Sequence, residues 1–291
     1  MKIFDCTTYF EEDLMMDVRF NILNEYVDTF IVCESKFSHS GKEKKINFEP
    51  NSFPKFKNKI KHIILEKEPP NLVDENIASP EDQRTNSVKR IMNQRDFIQS
   101  GLNASADDII MYSDNDEIPN LENLNFAKIK SKIVIFNQKM FYYKFNLFYP
   151  DLDWYGTKCC RYKDLRSISW LREVKPKKYK PFRLDVVFSK YKFIDLKIIQ
   201  AGGWHFSNVK NLQGLLKKYE NDEMHAEYNA RNVDSKEIER LLKERKINYN
   251  HFKDSKDISR QFSEFSLKKI DIDQLPTFLQ NNFKKYSDWF D

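Results

Sequence analysis

Strand and helix signals alternate through the first 120 residues, and that order leaves few folds open. Lys2–Asp5 is a short apolar strand, and Glu12–Tyr26 places Leu14, Val18, Ile22 and Tyr26 four apart, on one face of a helix. Thr29–Cys33 (TFIVC) and Lys61–Leu65 (KHIIL) are apolar runs bounded by polar residues and read as buried strands. After Pro69-Pro70, Ser79 is placed to cap a helix, Pro80 suits its first position and Asp82 supports the start. Val88, Ile91, Met92, Arg95 and Ile98 continue one face until Gly101 stops it. Asp108–Tyr112 (DIIMY) is the next strand. The order predicts an α/β fold with a mostly parallel sheet flanked by helices. Such sheets bind ligands at the carboxyl ends of their strands, where Asp5, Glu34-Ser35 and Asp114–Glu117 fall.

The middle of the chain reads differently. Val134–Tyr149 is dense in Phe and Tyr and predicts one long bent strand or a hairpin, with a further strand at Lys158–Tyr162. A small mixed or antiparallel section is expected here. From Asn208 the pattern turns helical, with candidates at Asn211–Tyr219 and Ser235–Arg245. No repeat, low-complexity stretch or Gly/Ser linker interrupts the 291 residues, so one compact domain is expected over 1–291.

Composition excludes several classes. The apolar share of 40% and aromatic share of 14% are those of a folded chain, despite a mean hydropathy of −0.71. The net charge of +5 is mild; basic clusters occur at Lys42–Lys45, Lys55–Lys61 and Lys175–Arg183, and acids are interleaved through most of the rest of the chain. A nucleic-acid surface would gather its charge on one face. Cys6, Cys33, Cys159 and Cys160 make neither a disulfide framework nor a CxxC zinc pair. No basic-then-apolar leader and no run of about 18 apolar residues occurs. A cytoplasmic protein without a membrane span is the expectation.

The chemistry concentrates at Asp114-Asn115-Asp116. Two carboxylates one residue apart, just past a buried strand, can both reach one divalent cation. Acid-x-acid recurs by chance, as at Asp151/Asp153 and Glu237/Glu239, but only the Asp114 pair follows a hydrophobic strand in the alternating region. An EF-hand loop is disfavoured because Pro119 stands where its glycine belongs. His205, in Gly202-Gly203-Trp204-His205-Phe206-Ser207, is a candidate third ligand, with glycines that let backbone approach a ligand. Arg95, on an otherwise apolar face, needs an anionic partner. Glu173, in WLRE, and Glu227, in HAEY, are carboxylates near aromatics that can act as a general base.

Taken together, these residues resemble glycosyltransferase family 17, known for the bisecting β-1,4-N-acetylglucosaminyltransferases of N-glycans. The likeness runs through Phe4-Asp5-Cys6, Phe30–Ser35, Phe37–Lys42 and Gln94-Arg95-Asp96. It is strongest from Asp107 to Pro119, and resumes at Gly203–Ser207 and His225–Tyr228. The resemblance implies a GT-A-type, Rossmann-like fold and a UDP-sugar donor, most often UDP-N-acetylglucosamine. It further implies inversion to a β-linkage on a glycan acceptor, with Mn²⁺ or Mg²⁺ at Asp114, Asp116 and His205. Glu34, Arg95, Asn115 and Trp204 are then expected at the donor, and Glu173 or Glu227 as the base. Residues 1–120 would bind the nucleotide sugar, 121–230 would form the acceptor side and 231–291 a helical extension. Asn115 and the Asn208–Leu216 stretch depart from the family pattern, which leaves the acceptor open. The rivals are a metal-dependent nucleotidyltransferase, for which no Gly-rich phosphate loop is present, and a non-catalytic sugar- or nucleic-acid-binding protein.

Overall fold

The computed structural model describes the chain except residues 181–182, 222, 224, 226–227, 229–233 and 254–262. In chain order the elements are β1 (Ile3–Tyr9), α1 (Asp13–Leu23), β2 (Thr29–Ser35), β3 (Ile60–Leu65), α2 (Pro80–Phe97), β4 (Ile109–Tyr112) and β5 (Glu117–Pro119). There follow β6 (Ile133–Phe136), β7 (Gln138–Tyr142), β8 (Leu147–Trp154), β9 (Lys158–Arg161), α3 (Ile168–Glu173), α4 (Leu184–Val187), β10 (Leu196–Ile199) and β11 (Gly203–Ser207). The last are α5 (Leu212–Asn221), α6 (Ser235–Glu244), β12 (Lys246–Ile247), β13 (Phe265–Ser266), β14 (Lys268–Lys269) and α7 (Thr277–Asn281).

The main sheet has seven strands in the order β10-β6-β9-β4-β1-β2-β3. Every neighbouring pair is parallel except the two made by β9, so the sheet is mixed rather than simply parallel. Side chains alternate across it. Phe30, Val32, Met111 and Cys159 join the core on one face; Ile31, Cys33, Ile110 and Cys160 join the core on the other. All four cysteines are buried and free. A second sheet, β14-β8-β7-β11-β5, stands beside the first. The aromatic stretch therefore divides: β6 enters the main sheet, while β7 and β8 form the expected hairpin in the second. A third core, with Tyr142, Tyr149, Leu215 and Ile238, lies under α5 and α6. Residues 263–291 are not simply helical: β14 pairs with β8, and Leu275, Leu279 and Tyr286 join the core of the first sheet.

Two helices correct the periodicity reading. Ser79 and Asp82 make the full reciprocal cap at the start of α2. The face α2 buries, however, carries Asn86, Ser87, Arg90 and Gln94, while Val88 and Met92 are exposed. Its burial is polar because the partners are main chain: Gln94 Nε2 donates to the carbonyl of Cys33 and Asn86 Nδ2 to that of Val73. In α1 the buried set is Met15, Met16, Val18, Arg19, Phe20 and Leu23; of the predicted stripe only Val18 belongs to it, while Leu14, Ile22 and Tyr26 are half-buried at its edge. The set includes a fully buried arginine that periodicity gave no reason to place there.

Candidate functional site

The chain leaves β1 toward β2 and β3 on one side, and β4 lies against β1 on the other. Their carboxyl ends open a crevice at that switch point, the place where open α/β sheets bind ligands. A cleft of about 260 Å³ occupies it. Thr8 and Phe10 line it from β1 and its extension, Ser35 and Phe37 from the β2 end, Arg95 from α2, and Asp114, Asn115 and Asp116 from the loop after β4. His205 and Ser207 of β11 and Lys218 of α5 close the far side.

The 113–116 loop crosses from the first sheet to the second, and buried groups hold it at both ends. Arg19 pairs through Nε and Nη2 with both oxygens of Asp5, at 2.7 and 2.6 Å. The same guanidinium donates to Ser113 Oγ at 2.7 Å and to the carbonyl of Glu117 at 2.8 Å. On the far side, the amide of Phe206 donates to the Asp116 carbonyl at 2.8 Å, and β11 pairs antiparallel with β5 so that His205 faces Glu117. Gly203 is required for that pairing: at φ 132°, a Cβ there would lie 2.2 Å from the carbonyl oxygen of Ile118. The glycines before His205 thus serve strand-to-strand approach, not approach to a ligand.

Asp114 and Asp116 share the cleft but have different neighbours. Asp114 Oδ1 accepts from Tyr112 Oη at 2.8 Å and Arg95 Nη2 at 3.3 Å; Oδ2 accepts from Arg172 Nη2 at 2.8 Å. Burial works against its ionisation, yet Arg172 and Arg95 outweigh it and hold the carboxyl far below its ordinary value. Arg172 also forks onto the fully buried Glu117, at 2.7 and 2.8 Å, and Trp154 Nε1 donates to the same carboxylate at 2.6 Å. Asp116 meets softer company. His205 Nε2 lies 3.4 Å from Oδ1, and Lys218 Nζ 4.0 Å from Oδ2. Burial again opposes ionisation, and His205 and Lys218 hold the pKa below normal.

Of the residues singled out in the sequence, Asp114, Asn115, Asp116, Arg95 and His205 come together in the cleft. Asn115 uses its amide internally, donating to Glu12 at 2.7 Å. Glu34 does not line the cleft: it is fully buried, and its oxygens accept from Lys44 and the amides of Asn47 and Phe48, with His62 beside them. Trp204 also lies elsewhere. Successive residues of a strand point to opposite faces, so with His205 in the cleft, Trp204 packs on the other side against Gln274 and Leu121. Glu173 is exposed at the end of α3, on a separate cavity of about 340 Å³ with Trp154, Tyr155, Lys158 and Arg172. Glu227 lies outside the described residues.

The sequence reading missed Arg172, Arg19 and Lys218. Arg172 stands beside Glu173 in the WLRE stretch, where the carboxylate is the residue the sequence reading singles out. Lys158 supports it from below, donating from Nζ to the carbonyls of Arg172 and Val174. Burial, then the nearby Arg172, pulls the Lys158 pKa down to about 7.

Fold and cleft together define an α/β protein with a polar, two-signed cleft at the switch point of its sheet. The model of glycosyltransferase family 17 matches residues 1–174, and the chain belongs to that family. The matched stretch contains Arg95, Asp114, Asp116 and Arg172; His205 and Lys218 lie beyond it. The beta-1,4-mannosyl-glycoprotein 4-beta-N-acetylglucosaminyltransferases of Homo sapiens and Rattus norvegicus are each 28% identical to it over 123 residues. These matches cover 40% of this chain and 21% of each relative, so the chain spans only a minor part of their length. The crystal structure of HddC from Yersinia pseudotuberculosis is 14% identical, covering 69% of this chain and 92% of that one, with a TM-score of 0.32. A likeness that slight supports no conclusion about this fold. No described helix is long and apolar enough to cross a membrane.

Proposed function

We propose that the chain is an inverting glycosyltransferase that moves a sugar, N-acetylglucosamine first among candidates, from a UDP-sugar to a glycan hydroxyl with β-linkage and divalent-cation dependence. In that reading the main sheet is of the GT-A type, with β9 as its one reversed strand. Family membership supports the reaction class. The observation that carries the cation requirement is the Asp116–His205 pair, whose oxygen and nitrogen lie 3.4 Å apart in the lining of the cleft. That is long for a hydrogen bond. Two neighbouring ligands on an octahedral ion with bonds of about 2.1 Å stand roughly 3 Å apart, so small side-chain movements would seat one. Among the described residues no three His, Cys, Asp or Glu converge. Mg²⁺-like ions on nucleotide substrates often take one or two protein ligands and complete the shell with phosphate and water. Such a cation, Mn²⁺ or Mg²⁺, would offset charge on the departing diphosphate.

The remaining roles belong to the chain itself. Arg95 and Lys218 offset phosphate charge from opposite walls of the cleft, and Asp114, held by two arginines, orients the donor or acts through water. Thermal shift with UDP-N-acetylglucosamine tests the reading. Donor at about 100 times its dissociation constant should stabilise by roughly 2.7 kcal/mol with Mn²⁺ present, and no shift with any UDP-sugar would overturn it. Three carboxylates compete as the base: Glu173, on the neighbouring cavity, Glu227, and Glu223, which lines the cleft itself and pairs with Arg84. Replacement of the true base by Gln should cost about 10²–10⁴-fold in turnover while donor stabilisation stays unchanged. Its place in the cleft favours Glu223.

A further inference from the structure

Between α3 and β10 the chain makes an excursion that the cleft does not use. Residues 175–194 carry seven basic side chains, Lys175, Lys177, Lys178, Lys180, Arg183, Lys190 and Lys192, against one acid, Asp185. Six of the seven are exposed. The same stretch exposes large apolar side chains: Leu184 is 74% exposed and Phe188 85%, with Tyr191 and Ile194 beside them. Leu184 and Phe188 stand four apart on the helical turn of α4, joined by the Phe188 amide to the Leu184 carbonyl, while Val186 between them is buried. The turn is therefore two-sided, with its larger apolar groups facing out.

The excursion is anchored rather than loosely attached. The amide of Lys175 donates to the carbonyl of Tyr191, and Trp170 Nε1 donates to the carbonyl of Lys190. Arg183 and Lys192 both pair with Asp185 and lie over the Tyr179 ring. Cations arranged around outward apolar side chains match one surface better than others. Lys and Arg are drawn to anionic headgroups while Leu and Phe enter the acyl boundary. A nucleic-acid backbone would use the cations and leave Leu184 and Phe188 without a role.

We propose that the exposed side chains of residues 175–180 and 183–194 form a membrane-docking surface that seats the protein peripherally on an anionic lipid bilayer. This goes beyond the transferase reading and does not depend on it. The excursion leaves α3 directly after Glu173, and Lys175 and Pro176 line the cavity beside Arg172, so docking would bring that cavity toward the lipid surface.

Co-sedimentation of the full chain with vesicles tests the proposal, using phosphatidylcholine alone or phosphatidylcholine mixed with phosphatidylglycerol. Retention is expected on the mixed vesicles, weakened by salt, with little on phosphatidylcholine. Each of Lys177→Gln, Lys178→Gln and Lys180→Gln should lower the partition coefficient roughly fivefold. Leu184→Ser with Phe188→Ser should lower it at least as much, and a melting curve that matches the parent would show these exposed changes leave the fold intact. No retention on anionic vesicles, or retention unmoved by both sets, overturns the proposal. Binding to RNA without vesicle binding, lost with the lysines and indifferent to Leu184 and Phe188, assigns the patch to nucleic acid instead. A dimer that the serine pair dissolves, again without vesicle binding, assigns it to a second copy of the chain.

Discussion

The two aspartates of the 113–116 loop are one residue apart in sequence and differ in their surroundings. Around Asp114 a phenol and two guanidiniums fill three of the carboxylate's acceptor positions, and Arg172 ties it to the buried Glu117. Around Asp116 an imidazole and an ammonium stand at 3.4 and 4.0 Å, near enough to bias ionisation and too far to saturate it. Asp114 is tied into an arginine network by close hydrogen bonds, whereas Asp116 has only these two longer contacts. Sequence spacing makes the two carboxylates look equivalent, and their neighbours make them unequal.

The largest way to break this comparison is to remove what holds both halves. Arg19→Leu would strand the buried Asp5 carboxylate and release the Ser113 and Glu117 contacts. A loss of about 3–5 kcal/mol in chemical denaturation is expected, and a loss below about 1 kcal/mol would show that the clamp contributes little. Next comes the Asp116 side. Asp116→Asn should abolish the Mn²⁺-dependent part of donor stabilisation and cost at least about 10²-fold in turnover. Unchanged Mn²⁺ dependence would remove Asp116 from the cation. On the other side, Asp114→Asn keeps the shape but weakens two ion pairs. Turnover should fall less than for Asp116→Asn, by roughly tenfold, with Mn²⁺ dependence retained; the reverse ranking would exchange the roles of the two residues.

A separate test, on stability rather than turnover, concerns the support under Arg172. Lys158 is held down to about pKa 7 in the fold, so between there and its ordinary value near 10.4 the unfolded chain binds the extra proton. Its contribution to stability therefore rises with pH through that window. The difference in unfolding free energy between the parent and Lys158→Met should shift in favour of the parent from pH 7 to pH 10. A flat difference would mean Lys158 titrates normally.

Legibility of the sequence followed the physics of each element. Strands β1, β2 and β4 were visible because they are buried on both faces and so read as apolar runs. The start of α2 was visible because Ser79, Pro80 and Asp82 form a cap from local residues alone. The buried face of α2 was not, because it carries Asn86, Arg90 and Gln94, whose partners lie in distant main chain. Arg19 and Arg172 escaped for the same reason: a buried cation is recognisable only beside its acids, and those are 14 and 55 or more residues away. The aspartate pair stands out by local order, and His205 by its flanking glycines, although Gly203 serves the close approach to Ile118 instead. Trp204 was misplaced because the alternation of β11 was not applied to its immediate neighbour.

The pairing of β11 with β5 and β7 also bears on how the chain acquires its site. Those contacts join segments some 60 to 90 residues apart. Closing such a loop costs entropy before the strands repay it, so the second sheet is expected to form slowly relative to the local βα units. Until β11 inserts, β7 and β5 present bare strand edges, which are templates for pairing with other chains. A nascent or truncated chain ending after α3 would contain both aspartates and both of the arginines that hold Asp114, yet lack the strand that covers those edges. Aggregation of such a fragment, rather than weak activity, is its expected behaviour during expression.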